Sequence, residues 1–294
     1  MYLNISNQGL TTLQGIDFPN DLQELDCSSN NLTSLEHCPK DLKILNCGHN
    51  LLTCLQHCPE NLQELRCGEN PLSSLQYCPR NLKILNCLES QLTSLQYCPE
   101  SLHELWCRYN QLTSLQYCPK NLKILNCSSN RLTSLQYCPQ SLQYLDCCYN
   151  RLTSLQYCPE NLQGLSCRYN QLTSLNHLPQ HLVSLHCGYN KLISLQECPN
   201  CLKEFYGYYN PLSSEYQGKN LTEIKFINNQ IKIRKLKRGI EIVNKLILNA
   251  KATMIQRCWD QFWYKPNEQG ISRHALQGIQ IMEHDGISII DAPN

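Results

Sequence analysis

Cysteine is the residue type with the greatest capacity for chemistry in this sequence, which contains 21 cysteines among 294 residues. A cysteine thiolate can act as a nucleophile, bind zinc or form a disulfide. Most of the cysteines form two columns that repeat every 20 residues, from Cys27 to Cys187 and, with Leu178 in one slot, from Cys38 to Cys198. Each column occupies a position that needs a small apolar side chain, so we predict free, buried thiols in a reducing compartment.

Three local patterns are candidates for a thiol site. Cys198 and Cys201 form a CxxC pair, but zinc normally requires a second pair or histidines at matching spacing. Cys148 follows a column cysteine and adds an outward-facing thiol that could react. Cys258 begins a Cys-Trp-Asp tripeptide, with no identifiable base to activate it. We predict no catalytic residue, no bound metal and no cofactor, and hence no enzymatic activity.

The cysteine columns belong to a repeat that runs without a gap from Asp21 to about Asn220. One unit, residues 61–80, reads NLQELRCGENPLSSLQYCPR. Leu65 and Cys67 stand two residues apart, so on a strand both face inward while their neighbours face outward. Such units cannot bury an apolar side alone and must stack. The pattern predicts a mainly β solenoid with a curved parallel sheet, one strand per unit, on its concave face.

Two further columns complete the unit. Asparagine recurs from Asn30 to Asn210, with Ser90 in one slot, and a buried amide there can satisfy the backbone where the chain leaves each strand. We therefore expect a looser turn at Ser90. Proline recurs from Pro39 to Pro199 and excludes a helix from the other side of the unit, because it lacks an N–H donor. We predict an extended or polyproline-like convex wall.

The unit LTSLQYCPKNLKILNCSSNRL resembles the short bacterial-type leucine-rich repeats of effector ubiquitin ligases, with cysteine-proline where those have leucine-proline. The cysteine-rich form also resembles leucine-rich-repeat proteins encoded by mimivirus-like giant DNA viruses of amoebae. These resemblances imply a solenoid that binds a protein, in a viral setting a host protein. The ligases use a catalytic cysteine followed two residues later by aspartate, as at Cys258. Residues 232–294 are far too few for their catalytic domain.

The sequence divides into a solenoid, residues 1–231, and a C-terminal segment, residues 232–294. Within the solenoid we assign a partial first unit to residues 1–20, full units to residues 21–220 and a short last unit to residues 221–231. Terminal units of solenoids are usually atypical because they must close the core.

The C-terminal segment is predicted to form a helical cap. Apolar residues recur at intervals of three and four, which is typical of an amphipathic helix: Ile233, Leu236, Ile240, Val243 and Ile247. Its basic start is interpreted as a solvated face, with a nuclear-localisation or nucleic-acid patch as the alternative.

Two later stretches have their own interpretations. Residues 252–264 resemble the opening of an IQ motif, a helical calmodulin-binding element, but lack its later glycine and spaced arginines. Burial of one face of a capping helix explains the same apolar residues. The sequence IQIMEHDGISII predicts a small hairpin around its Asp-Gly turn.

Charge and hydropathy indicate which partners and which compartment suit the protein. The formal net charge of +1 provides no long-range attraction for nucleic acid or an anionic membrane. The opening residues MYLNISNQGL lack the features of a signal peptide, and no apolar run is long enough to span a membrane. We expect a cytoplasmic protein, in the host cytoplasm or the virion if it is viral, with unused sequons at Asn4, Asn31 and Asn220.

The outward columns change in character along the repeats. In the first half they carry small or polar residues such as Asp26, Asn46 and Gly68, and from the middle onward they carry large ones. Aromatic residues and arginine are enriched at the hot spots of protein interfaces. We therefore predict a partner-binding surface formed by Trp106, Arg108, Tyr109, Tyr149, Arg168, Tyr169, His186, Tyr189, Tyr206, Tyr208 and Tyr209.

Alternatives to this surface remain open. The first tyrosine column, Tyr149, Tyr169, Tyr189 and Tyr209, fits equally well a ladder of stacked rings that stabilises neighbouring strands. The second tyrosine column, Tyr77, Tyr97, Tyr117, Tyr137 and Tyr157, is nearly invariant between units and is interpreted as shared packing. Self-assembly through the exposed sheet edges at the solenoid ends is the alternative to a protein partner.

Overall fold

The computed structural model describes the backbone of residues 1–263 and the side chains of residues 1–257. The chain divides into two units, Met1–Asn229 and Gln230–Asn294. The described part contains eleven strands and one helix: β1 (Tyr2–Asn4), β2 (Glu24–Asp26), β3 (Ile44–Asn46), β4 (Glu64–Arg66), β5 (Ile84–Asn86), β6 (Glu104–Trp106), β7 (Ile124–Asn126), β8 (Tyr144–Asp146), β9 (Gly164–Ser166), β10 (Ser184–His186), β11 (Glu204–Tyr206) and α1 (Leu221–Trp263).

The eleven strands form one parallel sheet in which each strand pairs with the next along the chain. The register advances by one unit at each step, so that Leu45 lies opposite Leu65. At the start of the sheet Leu3 lies opposite Leu25, which accommodates two extra residues in the first unit. The predicted repeat solenoid is confirmed.

The interior is lined by the predicted leucine and cysteine columns. Leu65 and Cys67 are fully buried, and eighteen of the described cysteines are buried without a disulfide. Burial raises the pKa of the Cys27 and Cys87 thiols to about 12. The thiols therefore stay protonated at neutral pH and pack as small apolar groups.

The asparagine column forms a ladder of side-chain to backbone hydrogen bonds. Asn130 donates to the carbonyls of Cys107 at 3.0 Å, Cys127 at 3.1 Å and Ser128 at 3.1 Å. Its Oδ1 accepts from the N–H of Leu112 at 2.9 Å, so each side chain joins two units. Equivalent bonds are made by Asn50, Asn70, Asn110, Asn150, Asn170 and Asn190.

Ser90 interrupts this ladder, as the sequence predicted. Its hydroxyl reaches only the carbonyl of Leu88, at 3.5 Å. The N–H of Leu72, which would meet an asparagine in a regular unit, bonds instead to the carbonyl of Asn70 at 2.7 Å. The turn at Ser90 is therefore held by fewer bonds than its neighbours.

The convex wall is built from turns. No helix occurs there in the part of the chain that the structure describes, in agreement with the proline column. In the unit around Tyr97, the N–H of Cys98 bonds to Leu95 at 2.9 Å and the N–H of Leu102 bonds to Pro99 at 3.3 Å. Tyr97 itself has φ of 68°, which is the left-handed conformation of the third residue of a type II turn. Two turns per unit thus replace a continuous extended run.

Helix α1 begins at Leu221, so the prediction of a short last repeat unit over residues 221–231 is wrong. Asn220 Oδ1 accepts from the N–H of Glu223 at 3.0 Å, and Glu223 Oε2 accepts from the N–H of Asn220 at 2.9 Å. This reciprocal pair is a capping box, which favours helix initiation. The apolar spacing in this segment is compatible with a helix as well as with a strand and turn.

The first two turns of α1 close the solenoid. Tyr216 and Ile224 are buried, and the Tyr216 hydroxyl donates to Asn228 Oδ1 at 2.8 Å. Asn228 Nδ2 donates to the carbonyl of Leu195 at 2.8 Å, and Lys225 Nζ donates to the carbonyl of Leu202 at 2.7 Å. The cap is therefore formed by residues 221–229, earlier than predicted.

The predicted capping stripe from Ile233 to Ile247 is exposed instead of buried. Of the IQ-like stretch, residues 252–263 are helical, and the side chains beyond Arg257 lie outside the described residues. The proposed hairpin IQIMEHDGISII lies outside them entirely.

Candidate protein-binding surface

The predicted surface residues lie in three columns on the outward side of the sheet. Trp106, His186 and Tyr206 end their strands. Two positions later come Arg108, Arg168 and Tyr208, and one position after those come Tyr109 and the first tyrosine column. Each of these side chains is exposed or half-buried, because the inward positions between them are taken by leucine and cysteine.

The first tyrosine column is a stack of rings along the edge of the sheet where the strands end. Tyr149 and Tyr169 have ring centroids 4.1 Å apart, Tyr169 and Tyr189 4.0 Å, and Tyr189 and Tyr209 4.2 Å. Neighbouring rings are within 19° of parallel. The ladder interpretation is therefore supported, yet Tyr149 and Tyr209 remain more than half exposed. The stack stabilises neighbouring units and still presents a rigid aromatic edge to solvent.

Trp106 and Arg108 form a separate cluster with Tyr109. Trp106 lies on β6 between Asn86 and Asn126 and is 36% exposed. The guanidinium carbon of Arg108 lies 4.5 Å from the centre of the Tyr109 ring, a cation–π contact that orients both side chains. Arg108 Nε is shielded from solvent and has no hydrogen-bond partner among the described residues.

Arg168 and His186 lie nearer the end of the sheet. Arg168 Nε and His186 Nε2 are also shielded without a hydrogen-bond partner in the described part. Burial, and then the nearby positive charge of Arg168, lower the pKa of His186 and so favour its neutral imidazole. Its ring meets Tyr206 edge-on at 4.6 Å. Unpaired shielded polar atoms are uncommon in folded proteins.

The first half of the same face satisfies its own polar groups. Arg66 Nε donates to Glu64 Oε1 at 2.7 Å, and Asn46 Nδ2 donates to Asp26 Oδ2 at 3.1 Å. Asp26 Oδ1 also accepts from the Ser28 hydroxyl at 2.6 Å. The polar side chains of this half therefore leave few donors for a partner, in contrast to Arg108 and Arg168.

One unit with smaller outward side chains separates Trp106 and Arg108 from the tyrosine stack. The intervening unit carries Asn126, Ser128 and Ser129, and two strand spacings amount to roughly 10 Å. Cys148, in the unit that follows, is buried with its Sγ 3.0 Å from Ser166 Oγ. Burial, and then the charge of Asp146, raise the pKa of Cys148 to about 12. The expectation of a reactive outward thiol at Cys148 is therefore wrong.

Tyr144 belongs to this surface but was not among the predicted residues. It lies on β8, is half exposed, and its ring covers Gly164 on the next strand. A Cβ added to Gly164 would lie 2.8 Å from Tyr144 Cδ1. The sequence signal is the end of the alternation of glutamate and isoleucine, which stops at Tyr144 and is followed by a glycine that leaves room for the ring.

The second tyrosine column is not packed, so its interpretation as shared packing is wrong. These five side chains are 50–58% exposed, and none makes a ring contact within residues 1–257. Each stands at positive φ in its convex turn, between 67° and 71°, and its ring lies outside the core.

The other candidate thiol sites are structural or untested. Cys198 is buried, and Cys201 Sγ donates to the carbonyls of Gln180 at 2.7 Å and Leu182 at 3.0 Å. No group of three or more metal-ligating side chains occurs in the described part of the chain. Cys258 lies in α1, with its side chain outside the described residues. No described helix is long and apolar enough to cross a membrane.

Comparisons with known proteins give matches among solved structures. No protein-family model and no curated protein sequence matches the chain. YopM from Yersinia enterocolitica is 33% identical, with a TM-score of 0.60 over 66% of this chain and 43% of YopM. The functional domain of InlJ from Listeria monocytogenes, which includes a cysteine ladder, is 24% identical, with a TM-score of 0.58 over 76% of this chain and 56% of that domain.

The leucine-rich repeat domain of APL1B is 22% identical, with a TM-score of 0.54 over 65% of this chain and 62% of that domain. The chain thus spans less than two thirds of the length of each of these three structures. The strand order, the inward leucines and these similarities agree: the chain has the leucine-rich-repeat solenoid fold.

Proposed function

We propose that this protein is a non-enzymatic scaffold that binds another protein on its concave face, from Trp106 to Tyr209. One observation carries the proposal. Arg108 and Arg168 form no ion pair among the described residues, and they lie beside exposed aromatic rings on a rigid sheet. A partner that supplies acceptor groups to the two guanidiniums gains charge-assisted hydrogen bonds and buries aromatic area at the same time.

The arrangement suits a partner with acidic acceptor groups. The two arginines have no ion pair among the described residues, and a guanidinium binds carboxylates in a forked geometry. The stacked tyrosines are already ordered, so binding costs them little side-chain entropy.

We also propose that the partner is a host protein and that the chain works in the cytoplasm. The host partner rests on the resemblance of the cysteine-proline units to viral proteins. The cytoplasmic setting rests on the buried thiols, which are not joined in disulfides, since unpaired cysteines in this number suit a reducing compartment.

A paired capture experiment tests the binding surface. The purified chain is compared with the variant Trp106→Ala/Arg108→Ala, using extract from candidate host cells and quantitative mass spectrometry. We expect a defined partner to be captured by the wild type and reduced at least about tenfold by the variant, as is typical when hot-spot residues are truncated.

The matched control is Tyr97→Ala/Tyr117→Ala, which removes two exposed aromatic side chains from the convex wall. It should capture the partner as well as the wild type does, and both variants should melt within a few degrees of it. Equal capture by all three proteins would exclude the concave face as the binding site.

A further inference from the structure

The part of α1 that belongs to the second unit carries an uncovered apolar stripe. Ile233, Leu236, Ile240, Val243, Ile247 and Met254 are each 45–68% exposed, and Ala250 between them is exposed as well. Isolated exposed apolar residues are ordinary, but a continuous stripe of this length marks an interaction surface.

The spacing of the stripe is that of a two-stranded coiled coil. From Ile233 to Met254 the intervals alternate strictly between three and four residues. This 3.5-residue period keeps one face turned toward a partner helix, whereas a straight helix packs with a period of 3.6. In heptad terms, isoleucine occupies three successive a positions, and the d positions carry leucine, valine and alanine. No a or d position in this range is polar.

Charge selects the orientation of the two helices. Between Gln230 and Arg257 there are eight lysines and arginines and a single glutamate. In a parallel pair, Lys232 at g would meet Lys237 at e of the partner copy, and like charges there repel. An antiparallel pair centred between Ile240 and Val243 places Lys232 near Thr253 of the partner copy instead.

We propose that a second copy of this chain binds along the stripe, antiparallel, to form a homodimer. In this register the apolar layers are complementary: Ile240 meets Val243 of the partner copy, Leu236 meets Ile247, and Ile233 meets Ala250. Two copies therefore bury the apolar side chains from Ile233 to Ala250 by one twofold operation, as expected of an isologous interface. The dimer does not depend on the concave surface, so this inference stands or falls separately from the proposed function.

The mass of the full chain in solution tests the dimer. At micromolar concentration, light scattering coupled to size exclusion should give twice the chain mass of 34.0 kDa. Ile240→Asp/Val243→Asp should return the monomer and raise the dissociation constant at least about a hundredfold, because it places unpaired charges in the apolar seam. Ile242→Asp, at the equally exposed c position, should remain a dimer.

Three results of these measurements would contradict the proposed dimer or its heptad assignment. A wild-type monomer at all concentrations, or a dimer that survives Ile240→Asp/Val243→Asp, would overturn the proposal. Dissociation by Ile242→Asp would overturn the heptad assignment. Added salt should tighten the dimer by screening its positive charges, whereas an anionic partner or membrane on the same stripe would be released by salt.

Cross-linking tests the orientation. Under mild oxidation, a mixture of Ile240→Cys and Val243→Cys chains should form a disulfide between positions 240 and 243, identified by peptide mapping. Neither variant alone should form one at its own position in the antiparallel pair. A link from 240 to 240, or from 243 to 243, would show a parallel pair and contradict the proposed arrangement.

Discussion

The interior of the solenoid and its concave surface follow different rules along the same repeats. Inside, leucine, cysteine and asparagine recur in almost every unit and make the same contacts each time. Outside, the first units carry polar groups that bond to one another, and the units from Trp106 onward add aromatic rings and two arginines, Arg108 and Arg168, that form no ion pair among the described residues. The interior thus determines the fold, and the surface can vary because the interior contacts already stack the units.

The two tyrosine columns show the same separation within one residue type. Both stand at positive φ and recur with the same period. The first forms a stack with centroids 4.0–4.2 Å apart, whereas the second makes no ring contact within the described residues. The period alone therefore does not determine whether side chains of neighbouring units touch; the place of the residue in the unit does.

The largest expected effect on stability comes from ionising the buried cysteine thiols at high pH. Burial raises the pKa of all eighteen buried cysteines, to about 12 at Cys27 and Cys158, above the ordinary value of 9.0. The folded chain thus binds more protons than the unfolded chain between pH 9 and 12, so stability is complete below pH 9 and falls as the pH rises. One pH unit is worth about 1.4 kcal/mol per thiol, and eighteen thiols together exceed the 5–15 kcal/mol of a typical domain.

We therefore expect cooperative unfolding between about pH 9 and 10 under reducing conditions, followed by circular dichroism. A chain that keeps its structure at pH 11 would show that the cysteine columns are accessible to solvent.

The second largest effect is expected when the hydrogen bonds of one asparagine in the ladder are removed. Asn130→Ala leaves three carbonyls and the N–H of Leu112 without their partner, and should lower the free energy of unfolding by about 3–5 kcal/mol. The natural gap at position 90 provides the reciprocal control. Ser90→Asn should raise stability by about 1 kcal/mol, because the new amide can accept from Leu72 and donate to the turn. Urea denaturation measures the free energy of unfolding of both variants. An Asn130→Ala variant as stable as the wild type would show that the asparagine ladder does not contribute to stability.

The smallest effect sharpens the comparison of the tyrosine columns. Tyr169→Ala removes two stacking contacts and should cost about 1–2 kcal/mol. Tyr117→Ala removes a side chain of the second column, at a similar backbone conformation, and should change stability by less than about 0.5 kcal/mol. Equal losses in the two variants would mean that the rings contribute through their backbone conformation and not through stacking.

The sequence predicted the interior well because spacing alone specifies it. Residues two apart on a short strand must share a face, and a period of 20 residues must align them between units. The prediction from the sequence failed at Leu221. The apolar spacing there fits a helix as well as a strand with a turn, and the capping box of Asn220 and Glu223 favours the helix.

The surface was less predictable for two reasons. Uniformity of the second tyrosine column suggested burial, but duplication of a whole unit copies exposed residues as faithfully as buried ones. Stacking of the first column depends on distances between units, which the sequence does not contain. The shielded nitrogens of Arg108, Arg168 and His186 depend on packing in the same way.

Footprinting of the aromatic side chains tests the proposed binding surface most directly. The captured partner is added to the chain, and hydroxyl-radical labelling is quantified residue by residue. Binding on the concave face predicts strong protection of Trp106, Arg108 and the first tyrosine column, with unchanged labelling of the second. Protection of Tyr97 and Tyr117, with Trp106 and Tyr149 left as reactive as before, would contradict the account.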